Sequence, residues 1–157
     1  MGAVTTLPVF LDNLRTSLTA LAGMAGVQVF TGPVDHLSIG AEAVVFCVDR
    51  TEASFSYRTL PHVEVFEEYA VEGRIWVVKP GGGEDVIKEA RDRAAALLEL
   101  VVDELGAHNS PTSATQAAFG VDDARLTGWS MEQFAIDGGR DCRLTFTVAV
   151  TARFTPA

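Results

Sequence analysis

The stretch RIWVVKPGGGEDVIKEARDRAAALLELVVDEL, residues 74–105, joins a strand pattern to a helix pattern. Arg74–Val78 is a short apolar run that Pro80 stops, which is typical of a buried strand. In Glu84–Leu105, apolar side chains recur every three or four residues, so they form one face of an amphipathic helix. Three glycines lie between the two patterns. Phosphate-binding loops have the same order of strand, glycine turn and helix.

The residues that follow the glycines argue against a nucleotide site. A P-loop has Lys and then Ser or Thr directly after its last glycine, whereas Glu84 and Asp85 stand there. Carboxylates stabilise the positive end of a helix dipole and would repel a phosphate from the same place. GGGEDV also lacks the third spaced glycine of a dinucleotide loop. We therefore interpret the triplet as a strand-to-helix corner, and the sequence predicts no cofactor.

An earlier segment predicts a second amphipathic helix, from Leu7 to Ala25. Its leucines and Phe10 form one apolar stripe, and Thr6 is placed to cap the first turn. Gly106 is placed to end the helix over residues 84–105 in a left-handed cap.

Apolar and alternating runs predict the strands. The clearest alternates Leu144, Phe146, Val148 and Val150 with threonines. Asp49–His62 follows no clean period and is either a loop or an extended arm. The predicted strands are Val27–Thr31, Ala43–Val48, Val63–Val78 with a bulge or tight turn at Gly73, Ala124–Ile136 with an irregular middle, and Cys142–Phe154 after a turn at Asp137–Gly139.

The order helix, strands, helix, strands decides the fold class. Consecutive strands joined by turns favour antiparallel pairing, and two amphipathic helices must bury their stripes against a sheet face. We therefore predict an α+β fold, a mostly antiparallel β-sheet packed by two amphipathic helices. A chain of 157 residues suits a single domain spanning 1–157.

Composition and charge exclude several classes. The net charge of −9 argues against a protein that binds free duplex DNA, since such binding needs a basic face. No apolar run approaches the length of a membrane span, and no signal peptide is recognisable at the start. Cys47 and Cys142 lie in strand-like apolar runs, so we expect buried free thiols in a reducing compartment and no disulfide.

No residue pattern predicts an active site or a metal centre. His36, His62 and His108 stand in separate segments without ligand spacing, so we expect solvated loop histidines. Glu64, Glu68 and Glu72 fall on one face of a predicted strand. Acid–base chemistry or cation binding is conceivable there, but a solvated or subunit-facing acidic edge is favoured. We expect no catalytic residue and no metal.

Aromatic residues in irregular segments leave two readings open. Phe55, Tyr57, Trp129 and Phe134 lie in or beside such segments. Aromatic side chains are enriched at protein interfaces, but they also anchor loops to a core. The sequence does not choose between an interface and an anchoring role.

The whole pattern resembles the small tail-terminator and minor tail proteins of long-tailed phages, especially those of actinobacterial hosts. The resemblance is carried by an opening helix before V-x-V, a central E-x-[FY]-x-[VI] type strand, a helix with A-R-x-R-A-x-x-L, and a last strand ending in V-x-V-x-A-R. The matching residues are Val27, Val29, Glu68, Tyr69, Val71, Ala90, Arg91, Arg93, Ala94, Leu97, Val148, Val150, Ala152 and Arg153.

This resemblance implies a structural virion subunit without enzymatic activity. Such a subunit forms a homo-oligomeric ring, a hexamer, on the end of the tail tube, where it ends tube polymerisation and joins the tail to the head connector. Its partners would be copies of itself, the tail tube protein and the head–tail connector protein, with DNA passing through unbound and no membrane. It would reside in the virion tail and assemble in the bacterial cytoplasm. The alternatives are another neck or minor tail protein, a non-enzymatic small-ligand-binding α+β module, or an enzyme using the acidic cluster.

Ring subunits need two different lateral surfaces that meet head to tail. Charged strand edges suit such contacts and discourage unwanted sheet extension. From these charges and the aromatic residues we predict a subunit or partner interface. Its members are Phe55, Tyr57, Arg58, Glu67, Glu68, Arg74 and Trp129.

Overall fold

The computed structural model describes residues 4–35, 40–60, 62–107 and 120–154. Within these ranges the chain forms two α-helices, one 3-10 helix and six strands. In chain order the elements are α1 (Leu7–Thr19), the 3-10 helix (Ala22–Met24), β1 (Gln28–Phe30), β2 (Glu42–Phe46), β3 (Ala53–Leu60), β4 (His62–Pro80), α2 (Glu84–Ala107), β5 (Asp123–Ile136) and β6 (Gly139–Phe154).

The strands form one sheet with β4 at its centre. One edge of β4 pairs with β6 from Val65 to Pro80. The other edge pairs with β3 along its first half and with β2 along its second half. β1 lies beyond β2 and runs parallel to it, whereas the other described pairs are antiparallel. The predicted α+β class, with a mostly antiparallel sheet and two amphipathic helices, is confirmed.

Strand β4 alternates strictly between two environments. From Val65 to Val77 every second side chain is buried, and the intervening ones are half-buried or exposed. The buried side packs against the helices, and we call it the helix face and the opposite side the outer face. This alternation is not recognisable from residue polarity, because Glu67 stands on the helix face, while Phe66 and Trp76 stand on the outer face.

Both helices bury an apolar stripe against the helix face. The ring of Phe10 meets the ring of Tyr69 edge-on, with 6.4 Å between centroids. Each large side chain buried in this way contributes about 1.5–3 kcal/mol. The buried residues are Phe10, Leu11, Leu14 and Leu18 on α1, and Ala90, Ala94, Leu97, Leu98, Val101 and Leu105 on α2.

The glycine triplet forms the predicted strand-to-helix corner. β4 ends at Pro80, and Gly81 and Gly83 have positive φ angles of 97° and 104°, which favour glycine. The amide of Gly81 donates to the carbonyl of Gly138 at 2.7 Å, which ties the corner to the β5–β6 turn. Helix α2 begins at Glu84, so its first turn carries the expected acidic residues.

The helix ends differ from their predictions. The Thr6 side chain makes no capping hydrogen bond to α1, because its hydroxyl is taken by the sheet. Helix α1 ends at Thr19, and the 3-10 helix follows before β1. Gly106 lies inside α2 rather than in a left-handed cap. No helix of the described residues is long and apolar enough to cross a membrane.

Three strand predictions are resolved. The extended arm is the correct alternative for the segment before His62, since it contains β3. Gly73 stands in regular register between Phe46 and Phe146, so the predicted bulge or turn there is wrong. The irregular middle of β5 is confirmed by a register shift between Leu126 and Gly128.

Candidate interaction surfaces

The hairpin of β3 and β4 carries exposed aromatic rings on the helix face. Phe55 and Tyr57 are 42% and 67% exposed. They stand opposite Glu67 and Val65, residues of the helix face, so they share that side of the sheet. The Phe55 ring also meets Phe154 edge-on, with 6.5 Å between centroids. These exposed rings are therefore a candidate surface for a partner.

The outer face of the same hairpin is charged. The Arg58 guanidinium lies 5.2 Å from the centre of the Phe66 ring. Glu68 is exposed on this face, across from Ser54 on β3 and Thr151 on β6. The exposed rings of Phe55 and Tyr57 and the charges of Arg58 and Glu68 therefore face opposite sides of the sheet.

A second group on the outer face joins guanidinium groups to aromatic rings. Arg143 lies 5.4 Å from the centre of the Trp76 ring and 5.0 Å from that of Phe134, and Arg74 lies 5.8 Å from Trp76. Arg143 also donates to a carboxylate oxygen of Asp141 at 3.0 Å. These contacts hold the Arg143 guanidinium against the sheet, so the position of its positive charge is fixed.

The edge strand β5 exposes its second half. Trp129, Phe134 and Ile136 are 60%, 40% and 41% exposed. Trp129 stands opposite the buried Phe146 and so belongs to the helix face, whereas Phe134 stands opposite Asp141 on the outer face. Within the described sheet β5 pairs only with β6, so its other edge presents unpaired backbone groups.

Glu67 departs from the prediction that it lies on a charged strand edge. Its side chain is fully buried. One carboxylate oxygen, Oε1, accepts from the Thr5 hydroxyl at 2.9 Å and from the Thr6 amide and hydroxyl at 3.0 and 2.9 Å. Glu67 therefore holds the start of α1 on the sheet and offers no charge to a partner in this structure.

The phenol of Tyr69 completes this buried cluster. Its hydroxyl lies 3.1 Å from the Thr6 hydroxyl. Burial raises the pKa of Tyr69 to about 12 and outweighs the hydrogen bond to Thr6, which lowers it, while the negative charge of Glu67 adds a smaller rise. The second oxygen of Glu67, Oε2, has no hydrogen-bond partner in the described part of the chain.

The predicted interface residues are not brought into one patch. Phe55 and Tyr57 lie on the helix face of the hairpin, Arg58 and Glu68 on its outer face, and Arg74 further along the outer face of β4. Trp129 lies at the opposite edge of the sheet. Two exposed residues of β5 were missing from the predicted set. They are Phe134 and Ile136. The sequence feature that could have indicated them is the run before the Asp137–Gly138 turn, which contains a single charged residue, Glu132.

The remaining candidate groups are distributed over the chain. No group of three or more His, Cys, Asp or Glu residues that could hold a metal ion occurs among the described residues. His36 and His108 lie outside those residues, as does the side chain of His62. Cys142 is buried as expected, and burial raises the pKa of its thiol, whereas Cys47 is only half-buried, just beyond β2, with a φ of 55°.

The described cavities are small or open. A groove of about 230 Å³ lies on the outer face between Pro33, Val34 and Trp76, and one of about 170 Å³ lies between α2 and β5. Both are below the roughly 300–1,000 Å³ of typical ligand sites. A larger depression of about 680 Å³ on α2 is lined mostly by charged side chains, including Lys88 and Asp92.

Comparison with known proteins gives a likeness of fold. No protein-family model matches the sequence, and no curated protein matches it. Among solved structures, the chain is similar to a chain of the virion of a native gene transfer agent (GTA) particle. The similarity covers 96% of this chain and 100% of that chain, with a TM-score of 0.53 and 14% sequence identity. The shared fold therefore extends over nearly the full length of both chains.

Proposed function

We propose that this chain is a structural subunit of a phage-like virion. The observation that carries the proposal is the likeness, over the full length of the other chain, to a chain of a virion particle. The exposed edge of β5 and the exposed rings of the β3–β4 hairpin also support assembly with other subunits, because such surfaces are covered in stable assemblies.

Within the virion, we propose the role of a tail terminator. Copies form a ring, a hexamer, at the end of the tail tube, stop tube polymerisation and present a surface to the head–tail connector. The sheet has two unlike edges, with β1 and β3 on one side and β5 on the other, and a head-to-tail ring needs such a pair. The resemblance of the sequence motifs to tail-terminator proteins supports this role over that of a neighbouring neck protein.

Electron microscopy of the purified protein tests the proposal directly. We expect rings whose mass is about six times that of the 16.8 kDa chain, with their fraction rising as protein concentration increases. Negative-stain images and mass photometry report ring shape and mass on the same sample. A protein that stays monomeric at every concentration, alone and with tail tubes, would contradict the proposal.

The net charge of −9 gives a second test. A ring through which DNA passes must not retain the duplex, and an acidic protein lacks the basic surface that displaces counterions. We expect no shift of duplex DNA in a gel at low salt, where electrostatic binding is strongest. Measurable binding of duplex DNA at low salt would contradict a passage that does not bind DNA.

A small-ligand-binding module has less support. That alternative predicts a deep apolar cavity, whereas the two grooves of about 230 and 170 Å³ are small for a ligand site and the depression of about 680 Å³ on α2 is lined by charged side chains. We therefore retain the virion role as the proposed function.

A further inference from the structure

We propose that β3 of one copy pairs with the exposed half of β5, Trp129–Ile136, of the next copy. This inference rests on the self-assembly in the proposed function and names the surfaces that meet. The occupant of each edge is thus a second copy of this chain, and the pairing is antiparallel.

Both strands have an unpaired edge and similar length. In the described sheet β3 pairs only with β4, and β5 pairs only with β6. β3 has eight residues, and Trp129–Ile136 is equally long and carries a single charge, at Glu132. Long edges with few charges invite pairing with another strand, because their backbone N–H and C=O groups are unsatisfied.

The strand directions favour an antiparallel contact between copies. β3 and β6 both run antiparallel to β4, and β5 runs antiparallel to β6. β3 and β5 therefore run in opposite directions within one copy. In a ring whose neighbouring copies keep nearly the same strand direction, β3 of one copy therefore meets β5 of the next antiparallel. Two different edges then form a head-to-tail contact that can close into a ring.

The faces of the two edges also match. Tyr57 and Trp129, which are 67% and 60% exposed, both belong to the helix face. A continuous sheet keeps them on one side, where the Tyr57 ring approaches Trp129 and the groove between α2 and β5. Aromatic rings paired across strands stabilise a sheet and lose contact with water.

The outer faces carry opposite charges. Arg58 is on the outer face of β3 and Glu132 on that of β5, since they stand opposite Glu64 and Arg143. Within the described residues Arg143 pairs with Asp141 rather than with the opposing Glu132, and Arg58 lies over the Phe66 ring. Opposite charges on adjoining strands favour the correct register and exclude like-charged partners.

The two edges lie at different heights on the sheet. β3 pairs with the first half of β4, whereas Trp129–Ile136 lies beside the part of β6 that pairs with its second half. The pairing therefore shifts each copy along the strand direction relative to the last. In a closed ring the strands then run obliquely to the axis, as they do in barrels.

A mixing experiment tests the contact. Tyr57→Lys damages the β3 edge, Trp129→Lys damages the β5 edge, and Val9→Lys makes the same kind of change on the exposed side of α1, where Val9 is 53% exposed. Each protein is examined by sedimentation velocity at the highest soluble concentration, with circular dichroism to confirm that the fold is intact. We expect the first two variants alone to assemble at least about tenfold more weakly than wild type, and the control to assemble normally.

A mixture of the two variants distinguishes pairing of β3 with β5 from pairing of two identical edges. An equal mixture of Tyr57→Lys and Trp129→Lys keeps one intact β5 edge and one intact β3 edge, so we expect a heterodimer that does not grow further. A mixture that remains monomeric, or a folded variant that assembles as wild type does, overturns the pairing and leaves the proposed function standing if wild-type rings form. A monomeric wild type overturns both.

Discussion

Gly73 and Phe146 stand opposite each other on β4 and β6, and the phenyl ring occupies the space above the glycine. A Cβ atom added at Gly73 would lie 2.2 Å from Cζ of Phe146. The ring also meets Phe46 edge-on, with 5.7 Å between centroids, so it has little room to move. Gly73 is therefore required by close approach of a core ring, and its backbone stays in regular strand geometry.

We predict that Gly73→Ala lowers the free energy of unfolding by about 3 kcal/mol, because the added methyl group overpacks the core. Gly128→Ala is the matched control, since a Cβ there meets nothing within 4 Å. Urea unfolding of both variants measures the difference. Adding Phe146→Leu to Gly73→Ala should cost less than the sum of the two single changes. Strict additivity would contradict a direct clash between the two residues.

The buried carboxylate of Glu67 gives the next prediction. Glu67→Ala removes the acceptor for three donors at Thr5 and Thr6, and we expect a loss of about 2–3 kcal/mol. Amide exchange at the start of α1 should accelerate, because that end of the helix loses its link to the sheet. Glu68→Ala, one residue later and exposed, should stay within about 0.5 kcal/mol of wild type. Equal effects of the two changes would rule out the anchoring role.

Glu67 also shows where reasoning from sequence reached its limit. The fold class, the helix stripes and the alternation of β6 were predictable, because local period reports burial. In β4 a glutamate occupies the buried face and Trp76 the outer face, which reverses the usual correspondence between polarity and exposure. Only the partners in space, Thr5 and Thr6, explain why a carboxylate is buried there.

The candidate surfaces were predicted unevenly for a related reason. Tyr57 and Trp129 were named, and both are well exposed. Their positions on opposite edges, but on one face, depend on strand order and register, which no local pattern encodes. Strand β3 itself has no clean period, because all of its described side chains, at residues 53–58, are exposed.

Acid titration should reveal the ion cluster of Glu42. Burial raises its pKa, but the hydrogen bond and charge of Arg93, with those of Lys79, outweigh burial and hold the pKa below its ordinary 4.5. The folded state therefore favours the carboxylate, so its contribution is present above about pH 4.5 and is lost as pH falls through the lower folded value.

We expect Glu42→Gln to lower the free energy of unfolding by about 1 kcal/mol at pH 7. The effect is of this modest size because both ion pairs keep some contact with water. The difference in free energy of unfolding between variant and wild type should decrease as pH falls below the ordinary pKa of Glu42. Glu99→Gln, exposed on α2, is the control. Unfolding midpoints in urea over this pH range supply the measurement, and a gap that stays constant with pH would contradict the assignment.

The alkaline range tests Tyr69 in the same cluster as Glu67. Because burial raises the pKa of Tyr69 to about 12 from an ordinary 10, the unfolded state releases its proton first as pH rises. Stability therefore falls between about pH 10 and 12, by up to about 1.4 kcal/mol per pH unit. Tyr69→Phe removes that loss, and it also removes the hydroxyl contact with Thr6, which costs about 1 kcal/mol at pH 7.

Wild type should thus be the more stable protein at pH 7, and the variant should overtake it as pH rises above 10. Urea unfolding midpoints across this range show the pH at which the two stabilities become equal. Tyr57→Phe is the control, because Tyr57 is the other tyrosine of the chain and is 67% exposed. The control distinguishes a loss specific to position 69 from the loss of any phenol. If Tyr69→Phe stays less stable than wild type throughout, or if both variants change the profile alike, the phenol of Tyr69 is not held neutral by the buried cluster.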